Sequence, residues 1–421
     1  MGPAPPGRVR GPAPDPAGRE GAPVGGGGPH VVVVGAGSTG AAIAHDLALR
    51  GFAVTVVERG EVGSGTTGRN HGLLHSGARY AVTDPVAARE CIEENLILRK
   101  IMPEGLELNG GYFIALTPED MDFRQTFLEG CEAAGIPTRE LTKEQLLRME
   151  PRLSPKILGG VMVPDGVFEP YRFCLSFLAS AQARGARVLT YHEVEGVLVE
   201  GGRTRGVQVR DRIRGRELTI TADAVVNAAG PWAAKVAATA GCRVPLILAP
   251  GVMIAVGVRY SHRVVNRLAP PGDGDIIVPQ RFTSMIGTTS WTVQDADLIP
   301  IPPDHVERMM DAGEAFFPGF RRQPKRGVFA VARPLVGPEE DQAEGEGFER
   351  AVTRDFACKH HEAEGAAGLF SVTGGKTTTS RLMAEAVVDQ VGRWLGFERP
   401  CQTRTEVLLP PRRFFTERVV S

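Results

Sequence analysis

The chain has 421 residues, of which 42% are hydrophobic and 23% are charged, and its formal net charge is -1 at pH 7. A globular protein of two or three domains is therefore expected. The nearly neutral charge argues against bulk binding of nucleic acid, although Arg and Lys side chains can still gather at a site.

Residues 1–29 are dominated by Gly, Pro, Ala and Arg and lack the apolar core of a signal peptide. Such a segment cannot bury enough apolar surface to become ordered. We therefore predict a disordered leader.

A dinucleotide fingerprint follows the leader. Residues 30–34 form an apolar run of the kind found in a buried parallel strand, and Gly35-Ala36-Gly37-Ser38-Thr39-Gly40 comes directly after it. Residues 41–50 have apolar side chains at helical spacing. A second strand over residues 53–57 is predicted to lead into Glu58.

Each part of this fingerprint has a task in binding a dinucleotide. Gly35 permits a tight turn, Gly37 lets the backbone approach a pyrophosphate, and Gly40 allows the helix to pack closely on the strand. The helix N-terminus offers N–H groups to the phosphates. Glu58 is expected to bind a ribose hydroxyl. The alternative, a glycine-rich turn in an ordinary βαβ unit, leaves the acid unexplained.

The residues after Glu58 favour FAD over a nicotinamide cofactor. A nicotinamide enzyme would usually continue with alternating strands and helices. Residues 63–68 are instead Gly-Ser-Gly-Thr-Thr-Gly, and a segment rich in His and Arg follows them. Small residues let the backbone wrap closely around a cofactor, and hydroxyl groups can bond phosphate or ring atoms.

The fold class expected from these patterns is α/β, with a Rossmann-like FAD-binding domain interleaved with an antiparallel-sheet substrate (cap) domain. The expected FAD-binding segments are residues 30–100, 156–241 and 326–395. The expected cap segments are residues 101–155 and 242–325, and residues 396–421 form a C-terminal tail.

Several runs support this interleaving. Strands of the FAD-binding domain are predicted at 188–190, 196–199, 206–209, 218–221 and 224–227, and cap strands at 252–255, 275–279 and 283–289. Residues 304–317 are predicted to form a surface helix, and residues 339–349 an acidic loop. The uncharged stretch 244–258 is shorter than the ~20 residues that a bilayer requires and contains prolines, so we interpret it as two core strands.

The last predicted strand, residues 369–372, leads into Thr373-Gly374-Gly375-Lys376 and a helix over residues 377–390, with Leu382, Ala386 and Val387 on one side. A helix N-terminus carries roughly half a positive elementary charge. Placed at the flavin, it would stabilise the negative charge of the reduced ring.

The chain resembles the FAD-dependent glycerol-3-phosphate dehydrogenases of the D-amino-acid-oxidase-like superfamily, above all the catalytic A subunits of the anaerobic enzymes. The resemblance extends from about residue 30 to about residue 401. The matching blocks are residues 68–84, 163–166, 225–230, 286–290, 333–336 and 373–376.

The resemblance implies a set of residues that contact FAD. They are Gly35, Gly37, Ser38, Thr39, Gly40, Glu58, Arg59, Thr66, Thr67, Asn70, His71, Gly72, Leu73, Val194, Ala229, Gly230, Gly374, Gly375, Lys376 and Thr377.

Three cations, Arg79, Arg333 and Lys376, are the candidates for binding the substrate, together with Tyr80. A phosphate dianion needs several charge-assisted donors, for which Arg supplies a planar fork and Lys a point charge. Each cation by itself could equally be a surface charge.

His75 and Arg333 are the candidate catalytic residues. An alcohol that loses hydride must also lose its hydroxyl proton, and a histidine with a pKa of about 6.5 is suited to accept it. His75 could instead position the flavin or substrate, with Arg333 or a water as the base. His71 is expected to pack against the isoalloxazine ring.

The resemblance implies oxidation of sn-glycerol 3-phosphate to dihydroxyacetone phosphate, with hydride passing from C2 to flavin N5 and electrons passing on to a quinone or a partner protein of the same complex. The alternative is an FAD-dependent 2-hydroxy-acid dehydrogenase of the L-2-hydroxyglutarate type. A non-catalytic flavoprotein scaffold is a third hypothesis, which the absence of a basic patch disfavours.

Two departures from the relatives bear on this expectation. The relatives continue into a cysteine-rich iron–sulfur module, for which we expect no counterpart in residues 402–421, and Pro250-Gly251 stands where relatives have Lys-Gly. The six cysteines are scattered without a C-x-x-C pair, so we expect buried thiols, no metal site and a cytoplasmic location. Peripheral contact with the inner face of the cell membrane is implied by resemblance alone.

Overall fold

The computed structural model of the protein describes residues 27–337 and 355–416. The predicted leader lies almost wholly outside these residues, and so does the predicted acidic loop. The described helices are α1 (Ser38–Leu49), α2 (Pro85–Ile101), α3 (Pro118–Ala133), α4 (Lys143–Met149), α5 (Pro170–Gln182), α6 (Ala233–Ala238), α7 (Pro303–Phe316), α8 (Ser380–Leu395) and α9 (Arg413–Thr416).

The first ten strands are β1 (His30–Val34), β2 (Ala53–Glu58), β3 (Leu73–Leu74), β4 (Leu106–Glu107), β5 (Gly111–Ala115), β6 (Arg139–Thr142), β7 (Gly159–Val163), β8 (Gly166–Phe168), β9 (Arg187–Thr190) and β10 (His192–Glu200). The others are β11 (Arg203–Asp211), β12 (Glu217–Thr221), β13 (Ala224–Asn227), β14 (Leu246–Val256), β15 (Val264–Arg267), β16 (Ile276–Gln280), β17 (Thr283–Gly287), β18 (Lys325–Val336), β19 (Phe356–His360) and β20 (Leu369–Gly374).

A six-stranded sheet forms the dinucleotide-binding half, in the order β19-β20-β13-β1-β2-β9. Its strands are parallel except at the β19–β20 edge. Val31, Val32 and Val33 are fully buried because both faces of this sheet are covered, as is usual for parallel strands. The predicted Rossmann-like unit is confirmed.

An eight-stranded sheet forms the other half, in the order β18-β14-β17-β16-β15-β5-β7-β6. Only its β15–β5 pair is parallel. The amphipathic helix α7 packs His305, Met309, Met310, Gly313 and Phe316 inward. The predicted antiparallel cap sheet is thus present, and a separate core lies beneath it.

The structure corrects four details of the predicted organisation. Residues 246–256 form one strand rather than two, because β14 pairs with β18 along its whole length despite Pro250. Strands β10, β11 and β12, which were predicted for the FAD-binding domain, form an antiparallel sheet of their own. Strands β7 and β18 belong to the cap sheet, so the boundaries expected at residues 155 and 325 are displaced.

The fourth correction concerns α8. A 3₁₀ turn, Thr377–Thr379, precedes this helix, which begins at Ser380. Its buried apolar face consists of Met383, Ala384, Val387, Val388 and Val391, so of the three predicted side chains only Val387 is correct. At roughly 100° per residue, Leu382 and Ala386 point away from this face of the helix, and both are half-buried.

Candidate active site

A cavity of about 840 Å³ lies at the carboxyl ends of β1 and β2, the edge where open α/β sheets bind ligands. Fifteen of the predicted cofactor residues line it: Gly35, Gly37, Ser38, Thr39, Glu58, Arg59, Thr66, Thr67, Val194, Ala229, Gly230, Gly374, Gly375, Lys376 and Thr377. A second cavity of about 750 Å³ contains Asn70, His71 and Leu73.

The fingerprint turn shows why glycines are needed here. Gly35 has φ +102°, a conformation that L side chains rarely adopt. A Cβ atom on Gly40 would lie 2.0 Å from the Gly35 carbonyl oxygen. Gly40 and Gly72 line neither of the two cavities, and a Cβ on Gly72 would lie 2.0 Å from Gln280 Nε2. These two glycines permit close packing beside the cavities.

Glu58 lines the first cavity and also holds the fingerprint loop. Its carboxylate accepts hydrogen bonds from the backbone N–H groups of Ala36 (2.9 Å) and Gly60 (2.8 Å). Burial raises the pKa of the Glu58 carboxyl, and the two amide donors oppose this effect. The acid therefore anchors the loop between β1 and α1, in addition to any contact with a ribose.

Hydroxyl groups of the 63–68 segment bind protein backbone. Thr67 Oγ1 accepts a hydrogen bond from Ser38 N–H at the start of α1 (3.0 Å), and Thr66 Oγ1 donates to the Ala332 carbonyl on β18 (2.7 Å). A Cβ on Gly37 would lie 3.1 Å from Thr67 Oγ1. These bonds hold the segment against the N-terminus of α1. Gly37, which precedes this helix, has no side chain and so leaves its backbone uncovered.

The two cavities adjoin, since Thr66, Arg69, Pro334, Gly375, Lys376 and Thr377 line both. Their volumes lie in the range of roughly 300–1,000 Å³ that is usual for small-molecule sites. Two adjoining cavities that are lined by glycines and by the N-terminal residues Ser38 and Thr39 of α1 suit FAD, whose phosphates the fingerprint residues would hold.

The second cavity brings together all of the predicted catalytic and substrate residues. His75, Arg79 and Tyr80 come from the segment between β3 and α2, Arg333 from β18, and Lys376 from the turn before α8. Their side chains are close. The rings of His75 and Tyr80 are 5.4 Å apart, and Lys376 Nζ lies 5.0 Å from the Tyr80 ring centre.

Arg333 is held by acceptors from β14 and the segment after β17. Its guanidinium donates to the Ala249 carbonyl (2.8 Å), the Pro250 carbonyl (2.9 Å) and Ser290 Oγ (2.8 Å). A carbonyl at position 250 serves this purpose whichever side chain stands there. Replacement of the relatives' Lys by Pro250 therefore leaves this anchor intact.

Arg79 forms an ion pair with a nearby acid, Asp275. It donates to the Gly272 carbonyl (3.2 Å) and to Asp275 Oδ2 (3.4 Å). Burial raises the pKa of Asp275, and the positive charge of Arg79 partly offsets this. Arg79 thus contributes less net positive charge to the cavity than its sequence position indicated.

The two histidines of the segment have different surroundings. His71 Nδ1 accepts a hydrogen bond from Leu73 N–H (3.2 Å), and burial, aided by Arg79 and Arg333, lowers its pKa to about 4. His71 is therefore neutral at pH 7 and does not titrate near neutrality. The backbone N–H of His75 donates to Thr378 Oγ1 (3.2 Å).

Buried polar groups position the backbone around His75. Asn95 on α2 donates to the His75 carbonyl (3.0 Å), and Asp165 accepts from Ser76 N–H (2.8 Å) and from Asn266 on β15 (3.2 Å). Burial raises the pKa of Asp165. The sequence indicated residues 163–166 only as a matching block, and the structure explains them as a link between the cap sheet and the His75 segment.

Sequence reasoning missed several residues of the first cavity: Arg69, Trp232, Lys235 and Asp297. Arg69 lies within the matching block 68–84 but carried no predicted role. The other three have no local pattern that distinguishes them from surface residues. Trp232 directly follows the Gly-Pro step after β13, which is the one signal that could have drawn attention to it.

Four of the six cysteines, Cys91, Cys131, Cys174 and Cys242, are buried as predicted, whereas Cys358 and Cys401 are only partly buried. Ligand atoms of Cys242, His361 and Glu364 lie within 4.8 Å of one another. The His361 ring bonds Glu364 and Ser371 Oγ (2.8 Å), and Glu364 accepts from Lys359 (3.0 Å). We interpret this group as a hydrogen-bonded cluster and assign no metal to it.

Comparisons with known proteins identify the family to which this chain belongs. The family model "FAD dependent oxidoreductase" matches residues 30–390. The A subunit of the anaerobic glycerol-3-phosphate dehydrogenase of Escherichia coli K12 is 40% identical over 382 residues, which cover 90% of this chain and 70% of that protein. The A1 subunit of the corresponding enzyme of Haloferax volcanii is 42% identical over 393 residues, covering 90% and 66%.

Solved structures show the same fold. The glycerol-3-phosphate dehydrogenase of Bacillus halodurans, complexed with FAD, superposes with a TM-score of 0.69 at 26% identity, covering 91% of this chain and 68% of that one. The L-alpha-glycerophosphate oxidase of Mycoplasma pneumoniae, also with FAD bound, has a TM-score of 0.68 at 19% identity, covering 91% and 99%.

Proposed function

This chain belongs to the FAD-dependent oxidoreductase family, among the glycerol-3-phosphate dehydrogenases, and from this premise we propose that it oxidises sn-glycerol 3-phosphate to dihydroxyacetone phosphate. The observation that carries the proposal is the second cavity. Three cations from distant parts of the chain, Arg79, Arg333 and Lys376, line it beside the segment assigned to the flavin. Such a cluster suits a small phosphorylated substrate.

The cations have different tasks in this proposal. Arg333 is rigid because backbone carbonyls and Ser290 fix its guanidinium, so it can present a donor to the phosphate in one orientation. Lys376 lies over the Tyr80 ring and supplies a point charge. Arg79 is partly neutralised by Asp275 and serves as the weaker phosphate contact.

FAD supplies the hydride acceptor, its N5 atom, when bound. The protein aligns C2 of the substrate by holding its phosphate, since alignment contributes much of the rate of such a step. His75 is the proposed acceptor of the hydroxyl proton at C2, through a ring nitrogen. His71 has a lowered pKa and stays neutral at pH 7. Its proposed role is to pack against the flavin ring.

Electrons must leave the reduced protein after each turnover. We propose that the acceptor is a partner protein of the same complex or a membrane quinone, with peripheral contact at the inner face of the membrane. The E. coli relative is named as one subunit of its enzyme, which supports an assembly with further subunits. Among the described residues, no helix combines the length and apolar character needed to cross a bilayer.

Anaerobic mixing of the purified FAD-loaded protein with candidate substrates tests the proposal. Flavin absorbance should bleach with sn-glycerol 3-phosphate and stay unchanged with glycerol, because glycerol lacks the phosphate that the cations bind. Faster bleaching by L-2-hydroxyglutarate would instead support a 2-hydroxy-acid dehydrogenase. A flavin that none of these compounds reduces would contradict both activities.

A further inference from the structure

The segment after β17 crosses from the cap sheet to the first cavity. Val293 N–H donates to the Leu248 carbonyl of β14 (3.0 Å), which fixes the start of the crossing. A few residues later, Ala296 and Asp297 line the first cavity. A cap-domain loop therefore forms part of the wall of a cavity whose floor belongs to the parallel sheet.

Asp297 binds three groups from the dinucleotide-binding half. Its Oδ1 atom accepts from the Arg59 guanidinium (3.0 Å) and from Trp232 Nε1–H (2.8 Å), and its Oδ2 atom accepts from Lys235 Nζ (3.0 Å). Lys235 also bonds Asp295 Oδ1 (2.9 Å). We call this network of Arg59, Trp232, Lys235, Asp295 and Asp297 the clasp.

The clasp is charged at neutral pH. Partial burial raises the pKa of Asp297, but hydrogen bonds from Lys235, Arg59 and Trp232 outweigh this and lower it. The Arg59 guanidinium carbon lies 4.0 Å from the centre of the Trp232 ring, so a cation–π contact joins two members directly. The side chains restrain one another on both sides of the cavity mouth.

Four clasp residues, Arg59, Trp232, Lys235 and Asp297, line the first cavity alone, whereas Gly375 and Lys376 line both cavities. Arg59 directly follows Glu58, and Val194 lines the same space from β10. In a dinucleotide laid along the fingerprint, the acid after the second strand marks the ribose, so this end receives the adenosine.

We propose that Asp297 is a cofactor-retaining residue, which closes the adenosine end of the FAD cavity by holding Arg59, Trp232 and Lys235 together. The clasp must open for FAD to leave, so its ion pairs slow cofactor release. The proposal concerns FAD retention and does not depend on which substrate is oxidised.

The test measures FAD release from the holoenzyme as free-flavin fluorescence after dilution. Asp297→Ala should release FAD roughly tenfold faster, a modest effect for several charge-assisted bonds because Asp297 is 47% exposed. The control is Asp311→Ala, which breaks a cap-surface ion pair with Arg321 away from both cavities. It should change the release rate less than twofold.

A double-mutant cycle shows whether the residues act as one network. Lys235→Met should also speed release, and the double variant should be little faster than Asp297→Ala alone. High salt should bring wild-type release toward that of the variants, because salt screens exposed ion pairs. Release that is unchanged in Asp297→Ala would overturn the proposal.

The FAD-free protein distinguishes the clasp from a simple brace between the two halves of the protein. A brace at Asp297 would lower the Tm of FAD-free Asp297→Ala and leave FAD release at the wild-type rate. A clasp leaves the Tm of the FAD-free variant close to that of Asp311→Ala and speeds release. The first result overturns the proposal and the second supports it.

Discussion

At the scale of single residues, the site depends on side chains fixed by their neighbours. Arg333 illustrates this: its donors bind three backbone carbonyls and Ser290, so its orientation is set before any ligand enters. Substrate binding then loses less conformational entropy, which favours affinity.

We expect Arg333→Ala to raise the KM for sn-glycerol 3-phosphate by roughly 10- to 150-fold and to lower kcat, because a charge-assisted bond contributes about 1.5–3 kcal/mol and also aligns the substrate. Steady-state kinetics under matched FAD loading measure both constants. Arg326→Ala, at an exposed position of the same strand, is the control and should behave as wild type. Equal KM values for the two variants would show that Arg333 does not bind the substrate phosphate.

The proton acceptor can be identified by stopped-flow flavin reduction between about pH 5.5 and about pH 9, which brackets the ordinary histidine pKa. If His75 is the base, His75→Asn should reduce the rate by roughly 10²- to 10⁴-fold and abolish the acid-side limb of the pH profile. His71 cannot produce that limb, because its pKa is about 4.

His262→Asn, an exposed histidine of the cap, is the matched control and should keep the wild-type profile. An unchanged acid-side limb in His75→Asn would indicate that Arg333 or a water accepts the proton. A shifted flavin spectrum with an unchanged limb would indicate that His75 only supports the ring.

At the scale of elements, the turn between β1 and α1 is the most constrained part of the fold. Gly35 requires its left-handed conformation, and Gly40 must lack a side chain because the helix passes directly over the Gly35 carbonyl. The sequence pattern assigned Gly37 to close approach of the pyrophosphate and Gly40 to close packing of the helix on the strand. The structure shows that Gly40 has less room.

We therefore expect Gly40→Ala to be far more damaging than Gly37→Ala. A Cβ at Gly40 would lie 2.0 Å from a backbone oxygen, so α1 must shift away from β1. At Gly37 the nearest atom, Thr67 Oγ1 at 3.1 Å, belongs to a side chain that can give way. The Tm of the FAD-free protein checks this, because the pyrophosphate that Gly37 approaches is then absent. Equal losses of Tm in both variants would contradict it.

At the scale of the whole molecule, buried histidines make stability depend on pH. His45 on α1 is fully buried against Phe177, and neither of its ring nitrogens has a hydrogen-bond partner among the described residues. Burial lowers its pKa to about 3. Between about pH 3 and about pH 6.5 the unfolded chain binds this proton and the folded one does not, so stability falls with acidification.

His45→Leu should remove this dependence, because it deletes the titrating ring and keeps an apolar side chain in the core. The wild-type free energy of unfolding should fall by up to about 1.4 kcal/mol per pH unit below pH 6.5 on account of His45, and the variant should lose that share of the slope. Urea unfolding at about pH 7.5 and about pH 5 measures it. An identical slope in both proteins would show that His45 does not titrate on unfolding.

The sequence by itself determined the dinucleotide half, because its signals are local. The apolar run of β1, the glycines of the turn and the acid at the end of β2 lie within 29 residues, and the structure matches them closely. The motif blocks also indicated which distant side chains share a site, and His75, Arg79, Arg333 and Lys376 do line one cavity.

Only the tertiary structure decided how distant segments meet. The long pairing of β14 with β18, the acid beside Arg79 and the clasp at Asp297 join residues that are far apart in sequence. No periodicity encodes such contacts, because they depend on how the two sheets pack together. An exposed Asp has the pattern of an ordinary surface charge until the fold places it across a cavity mouth from Arg59, Trp232 and Lys235.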